Sequence, residues 1–125
     1  MFRVATADLG QGIFSVGVTG EVDLATAPEL KEALTQVIEN GASGVVVDLS
    51  AATFIDSTTL GVLMGATKRL RPAGGELTIA CRDTNIRRIF EITLLDRVFT
   101  IVDTVDQAVD HLRGRDGGET VSPDR

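Results

Sequence analysis

The run Val45-Val46-Val47-Asp48-Leu49 constrains this chain more than any other feature. β-Branched residues are stiff at χ1 and sit well on a pleated surface. An unbroken apolar run, as opposed to an alternating one, reads as a strand buried on both faces and therefore central in its sheet. It leads into Phe54-Ile55-Asp56-Ser57-Thr58-Thr59-Leu60-Gly61, and then into Leu60, Leu63, Met64, Thr67 and Leu70 at helical spacing. The helix is expected to start at Asp56 or Ser57 and to run to about Leu70. The junction of a central strand with its following helix falls at the carboxyl end of the sheet, where open α/β sheets place their sites.

The rest of the chain supplies the neighbours. Residues 2–7 and 13–19 read as two strands around the Gly10-Gln11-Gly12 turn, with Phe14, Val16 and Val18 on one face of the second. The short break between them points to an antiparallel hairpin. Thr26 and Glu29 have the spacing of a capping box, with Pro28 in the first turn. Leu30, Ala33, Leu34, Val37 and Ile38 then form the apolar stripe of a first helix that Gly41 ends. Pro72, Gly74 and Gly75 stop the second helix and turn the chain into a strand over 77–81. Asp83 or Thr84 caps a third helix with Ile86, Ile89 and Phe90 inward. Residues 98–102 read as a short edge strand. Asp103 or Thr104 caps a last helix carrying Val105, Ala108, Val109 and Leu112 inward.

From Gly114 onward no apolar period remains, so we expect one domain over 1–113 and a disordered tail over 114–125. The order is ββαβαβαβα. This is an α/β unit: a mixed, mostly parallel sheet of four to five strands with about four helices, joined by right-handed crossovers.

A length of 125 residues fits one domain, and the formal net charge is −6. An acidic surface repels phosphate backbones and anionic head groups, so neither nucleic acid nor a membrane is an expected direct partner. No leader and no apolar run near eighteen residues is visible, which makes a cytoplasmic location the expectation. The single cysteine, Cys81, lies in an apolar stretch and reads as a small buried hydrophobe. The clusters Lys68-Arg69-Leu70-Arg71 and Arg87-Arg88 read as solvated helix faces.

Catalytic chemistry lacks its residues. The only histidine, His111, has neither a second histidine nor a cysteine pair to build a zinc site, and it reads as an idle surface side chain. There is no Gly-x-Ser-x-Gly elbow and no phosphate-binding Gly-x-x-x-x-Gly-Lys-Ser/Thr loop. Gly10-Gln11-Gly12 opens no helix and is no dinucleotide fingerprint. The chain is thus expected to be no enzyme and to need no metal or cofactor.

That leaves the Asp56-Ser57-Thr58-Thr59 segment. Capping explains part of it, since Asp56 or Ser57 can satisfy the first free N–H groups of the helix. Consecutive hydroxyls exceed what a cap needs, and threonine is a mediocre helix former. A helix start also accommodates a phosphate, because free amides and the positive end of the dipole face it. Phosphorylation would add about −1.5 to −2 charges beside Asp56 without melting the helix. A partner packed there would be repelled.

These segments resemble the bacterial anti-sigma factor antagonists of the STAS domain family over roughly residues 3–113. The likeness rests on Gly20-Glu21-Val22-Asp23, Val46-Val47-Asp48-Leu49-Ser50, Gly74-Gly75-Glu76-Leu77 and above all Phe54-Ile55-Asp56-Ser57-Thr58-Thr59-Leu60-Gly61. The resemblance implies the STAS fold and a partner-switching cycle. The unphosphorylated antagonist binds an anti-sigma factor that is also a serine kinase, freeing a sigma factor for transcription. The kinase phosphorylates the antagonist, which lets go, and a PP2C-type phosphatase resets it.

Ser57 matches the acceptor, with Thr58 and Thr59 as alternatives. Asp23, Asp56, Ser57, Thr58, Thr59 and Gly61 make up the implied partner-binding surface. One departure is that the family carries glycine two residues after the acceptor, where this chain has Thr59. A side chain there would crowd a kinase, move the acceptor, or mark another job, such as a non-phosphorylated scaffold or an accessory subunit of a transporter or signalling complex. A ligand-binding domain at the strand–helix junction is a further reading without a fingerprint.

Overall fold

The computed structural model describes residues 1–116. Its order is β1 (Phe2–Gly10), β2 (Ile13–Val22), α1 (Ala27–Glu39), β3 (Gly44–Ile55), α2 (Ser57–Leu70), β4 (Glu76–Ala80), α3 (Thr84–Ile92), β5 (Thr100–Val102) and α4 (Val105–Asp116). Short 3-10 turns, Arg71–Ala73 and Leu95–Arg97, follow α2 and α3. The sheet runs β1-β2-β3-β4-β5, antiparallel between β1 and β2 and parallel elsewhere. This is the expected ββαβαβαβα order with the apolar run at the centre. α4 reaches Asp116, past the expected boundary at 113. The remainder of the expected tail, 117–125, lies outside the described residues.

The strands run longer than their apolar runs. β3 continues through Ser50, Ala51, Ala52, Thr53 and Phe54 to Ile55, because β2 extends with it to Val22. The parallel register slips between Gly17 and Thr19, and again between Gly20 and Glu21. Such bulges break the alternation by which a strand is recognised. Gly20 sits at the second slip with φ +94°, where a Cβ would run into the backbone of Met1. Only glycine fits a left-handed position so close to another chain segment.

Both faces of β3 are buried, as the run demands. On one side Val45, Val47 and Leu49 pack in a cluster with Leu30 and Leu34 of α1, Leu63 of α2 and Phe90 of α3. On the other, Val46 joins Ile13, Ala80, and Ala108 and Leu112 of α4. Three helices thus cover one face of the sheet and α4 covers the other.

Several end-group readings change in the structure. Thr26 makes no side-chain cap on α1 and no capping box forms with Glu29. Thr26 already has helical φ/ψ, so its hydroxyl turns back and donates to the Glu21 carbonyl at 3.0 Å. Asp103 and Thr104 do form a reciprocal box with Gln107: its Oε1 accepts from the Asp103 amide at 2.9 Å, and its amide donates to Thr104 Oγ1 at 3.1 Å.

Arg87 is not simply solvated. Its Nε donates to the Cys81 carbonyl at 2.6 Å and its Nη2 pairs with Asp103 at 2.9 Å, tying α3 to the strand end before it and to the start of α4. Nor is His111 idle. Its Nε2 lies 2.9 Å from Glu76 Oε2 and links α4 to the first residue of β4.

Candidate functional site

β3 delivers Ile55 into the core and stops, because Asp56 is extended (φ −133°, ψ −174°) and caps α2. Its Oδ1 accepts from the amides of Thr58 at 3.0 Å and Thr59 at 3.2 Å. Ser57 is therefore the first helical residue, and it is exposed. Among the described residues, none contacts its hydroxyl through a hydrogen bond.

The hydroxyls of this segment have separate roles. Ser57 points to solvent, Thr58 is half-buried, and Thr59 is fully buried at 0% exposure. Thr59 Oγ1 donates to the Val22 carbonyl at 3.0 Å, joining the first turn of α2 to the end of β2. Of the two alternative acceptors, Thr59 is therefore enclosed with its hydroxyl engaged, and Thr58 is half-buried. The burial follows from helical spacing: Thr59 shares the inward face with Leu63 and Ala66. Thr59→Val keeps the shape and removes the hydroxyl, leaving a buried carbonyl unsatisfied. It is expected to lower stability by about 1–3 kcal/mol in urea unfolding. A loss below about 0.5 kcal/mol would show that this bond does not hold the helix start.

The second loop at this end of the sheet is built by Asp23. Its Oδ1 accepts from the amides of Ala25 at 3.0 Å and Thr26 at 3.1 Å, and its own amide donates to Thr26 Oγ1 at 2.9 Å. Its carbonyl accepts the Ala27 amide at 2.8 Å and so starts α1. Asp23 thus shapes the loop whose end the Thr59–Val22 bond fixes against α2. The same loop presents Leu24 at 76% exposure, and the end of β3 presents Phe54 at 47%. Glu21 pairs with Phe54 and Val22 with Ile55, so the two apolar side chains belong to adjoining segments. The sequence names Phe54 only as part of the segment before α2 and gives Leu24 no role, because neither belongs to an apolar period. An exposed leucine between Asp23 and Ala25, in a loop otherwise spent on hydrogen bonds, was the available signal.

The structure brings the expected site residues to one end of the fold: Asp23 at the β2–α1 loop, and Asp56, Ser57, Thr58 and Gly61 at the start of α2. It revises how a phosphate would sit there. The amides of Thr58 and Thr59 already serve Asp56, so fewer donors remain at the helix start for an added anion.

Elsewhere the chemistry is sparse. Burial pushes the Cys81 thiol up from its ordinary value, against the lowering effect of its contact with the Asp83 backbone. Among the described residues, no group of three or more His, Cys, Asp or Glu side chains could hold a metal, and no helix is long and apolar enough to cross a membrane.

Comparison with known proteins agrees with this geometry. Residues 6–108 match the family model of the STAS domain. Anti-sigma-B factor antagonists are similar: that of Staphylococcus aureus is 40% identical over 80 residues, covering 64% of this chain and 74% of that protein. That of Listeria monocytogenes is 43% identical over 88 residues, covering 67% and 74%. The crystal structure of an anti-sigma factor antagonist from Mycobacterium paratuberculosis superposes with a TM-score of 0.83 at 31% identity, over 90% of this chain and 95% of that one. With its five-stranded mixed sheet and a capped helix opening at the carboxyl end of the longest strand, this chain belongs to the STAS domain family.

Proposed function

We propose that this chain is an anti-sigma factor antagonist that binds an anti-sigma factor kinase while Ser57 is unphosphorylated and releases it once Ser57 carries phosphate. The observation that carries the reading is the division of labour among the hydroxyls. Of the three hydroxyls, that of Thr59 is buried and bonded to Val22 and Thr58 is half-buried, so Ser57 alone is exposed, at a helix start that Asp56 caps. The names borne by the similar proteins support the partner class.

The partner surface comprises Asp23, Asp56, Ser57, Thr58 and Gly61, with Leu24 and Phe54 as apolar contacts beside them. Thr59 acts from beneath, as an anchor. A PP2C-type phosphatase returns the serine to its free state, and the cycle runs in the cytoplasm. The reading as a non-phosphorylated scaffold rested on Thr59, and its burial leaves that reading without an observation in its favour.

Fragment mass spectrometry on protein purified from its host, with and without phosphatase treatment, tests the assignment. A single phosphate on Ser57 is expected. Phosphate on Thr58 would move the acceptor, and none under several growth and stress conditions would sink the switch.

A further inference from the structure

The two helices beside the switch enclose a groove of about 530 Å3. Its floor is Leu34 of α1 with Gly61, Val62, Gly65 and Ala66 of α2. Thr58 closes one end, next to Ser57. Two charged side chains line it, Lys31 and Arg69, both basic, although the whole chain carries −6. Arg69 Nη1 donates to Thr35 Oγ1 at 2.9 Å, which holds the guanidinium across the pair of helices.

Gly61 and Gly65 have no internal reason to be glycine. Neither adopts a positive φ, and a Cβ at either would meet nothing within 4 Å. Each costs a helix interior about 1 kcal/mol relative to alanine. Two glycines that neither backbone geometry nor the chain's own packing calls for leave α2 open to close approach from outside. From Thr58 to Arg69 the helix rises about 16 Å, or three turns.

We infer that this groove seats an amphipathic helix of the anti-sigma factor, about three turns long, with apolar residues on the glycine floor and acidic residues toward Lys31 and Arg69. This rests on the antagonist reading above and assigns it a docking surface. The closeness of an apolar floor and a cationic rim in an otherwise acidic protein selects that chemistry, since charge complementarity discriminates among partners. It also gives the phosphate a target. Ser57 is the residue before Thr58, so a phosphoserine sits at the mouth of the groove and opposes the acidic face of the seated helix.

The test is calorimetric titration of the full chain with the purified anti-sigma factor of the same organism. Gly65→Leu fills the groove while raising helix propensity, so it is expected to fold at least as stably as wild type and to bind at least about 10-fold more weakly. The double variant Lys31→Glu, Arg69→Glu is expected to lose about 10-fold or more, with a flatter salt dependence, and to be rescued when acidic residues of the partner helix are changed to lysine. Lys68→Glu, exposed and outside the groove, serves as the control and should bind within about twofold.

If both groove variants bind within about threefold of wild type while phosphorylation still releases the partner, the groove is not the docking surface and the switch stands. If wild-type protein does not bind the anti-sigma factor at all, the antagonist reading falls and this assignment falls with it.

Discussion

Phosphorylation of Ser57 is expected to weaken anti-sigma factor binding at least about 100-fold, a change of roughly 2.7 kcal/mol, while leaving the melting temperature of the antagonist nearly unchanged. The two halves of this expectation have different causes. A dianion buried in an interface loses its hydration and recovers it only if cations are waiting. Here Asp56 stands beside it and Asp23 and Glu21 occupy the neighbouring loop and strand end, so the patch is acidic before the phosphate arrives. Stability should barely respond, because two of the helix-start amides that would welcome an anion, those of Thr58 and Thr59, are already taken by Asp56. Titration calorimetry and thermal melts on matched phosphorylated and unphosphorylated protein check both halves. Ser57→Ala should bind like wild type and escape regulation. A phosphoprotein that released its partner only because it had partly unfolded would show a lowered melting temperature and would refute repulsion as the cause.

The largest effect on stability is expected from Phe90→Ala, at about 3–5 kcal/mol. The chain has five phenylalanines and no tryptophan or tyrosine, so aromatic volume is scarce. Phe90 is fully buried and meets Phe99 edge-on, with ring centroids 6.0 Å apart at 86°. Edge-to-face pairs add to what area burial alone contributes. Removing one ring leaves a cavity and also strips the partner of Phe99, which lies just before β5. A domain of this size holds on the order of 5–15 kcal/mol in total. The variant should therefore melt more than about 10 °C lower by circular dichroism. Phe90 shares the core with α1 and α2 but is itself fully buried and adds nothing to the surface around Ser57, so the affinity of the folded fraction for its partner should change little. A loss under about 1 kcal/mol would mean that neighbouring side chains refill the space, and that the ring pair is not what holds α3 down.

The parts of the fold that were legible in the sequence share one property: their residues face the same environment along their length. Val45, Val46 and Val47 are all buried, so the run declared a central strand directly. The stripe Leu30, Ala33, Leu34 and Val37 did the same for α1. Where the environment changes within an element, the pattern failed. The upper half of β3 mixes buried Ala52 and Ile55 with exposed Ala51, Thr53 and Phe54, and two register slips remove the period that would have joined them.

The site was legible to a similar degree and for related reasons. Asp56 announced itself as a cap, and the helix that followed placed Ser57 at its first position. The burial of Thr59 is not visible in a run of consecutive hydroxyls, whereas helical geometry assigns each residue its own direction. Reading Thr59, Leu63 and Ala66 as one face would have put that side chain inside. Thr26 failed in the opposite sense. Its spacing to Glu29 was right for a box, but the backbone had already turned helical, and Asp23 had taken the capping role through its carbonyl and carboxylate.

The Thr59–Val22 bond has a consequence for timing. It clamps the first turn of α2 to the end of β2, so the proposed mark on Ser57 is expected to act by charge on a surface already fixed. Marks that alter charge on a fixed surface need no refolding step to be read or removed, unlike those that order or melt a segment. On the proposed switch, the delay between a signal and the release of sigma factor would be set by enzyme turnover on Ser57 and by the lifetime of the complex. The antagonist chain itself is then expected to add no slow step.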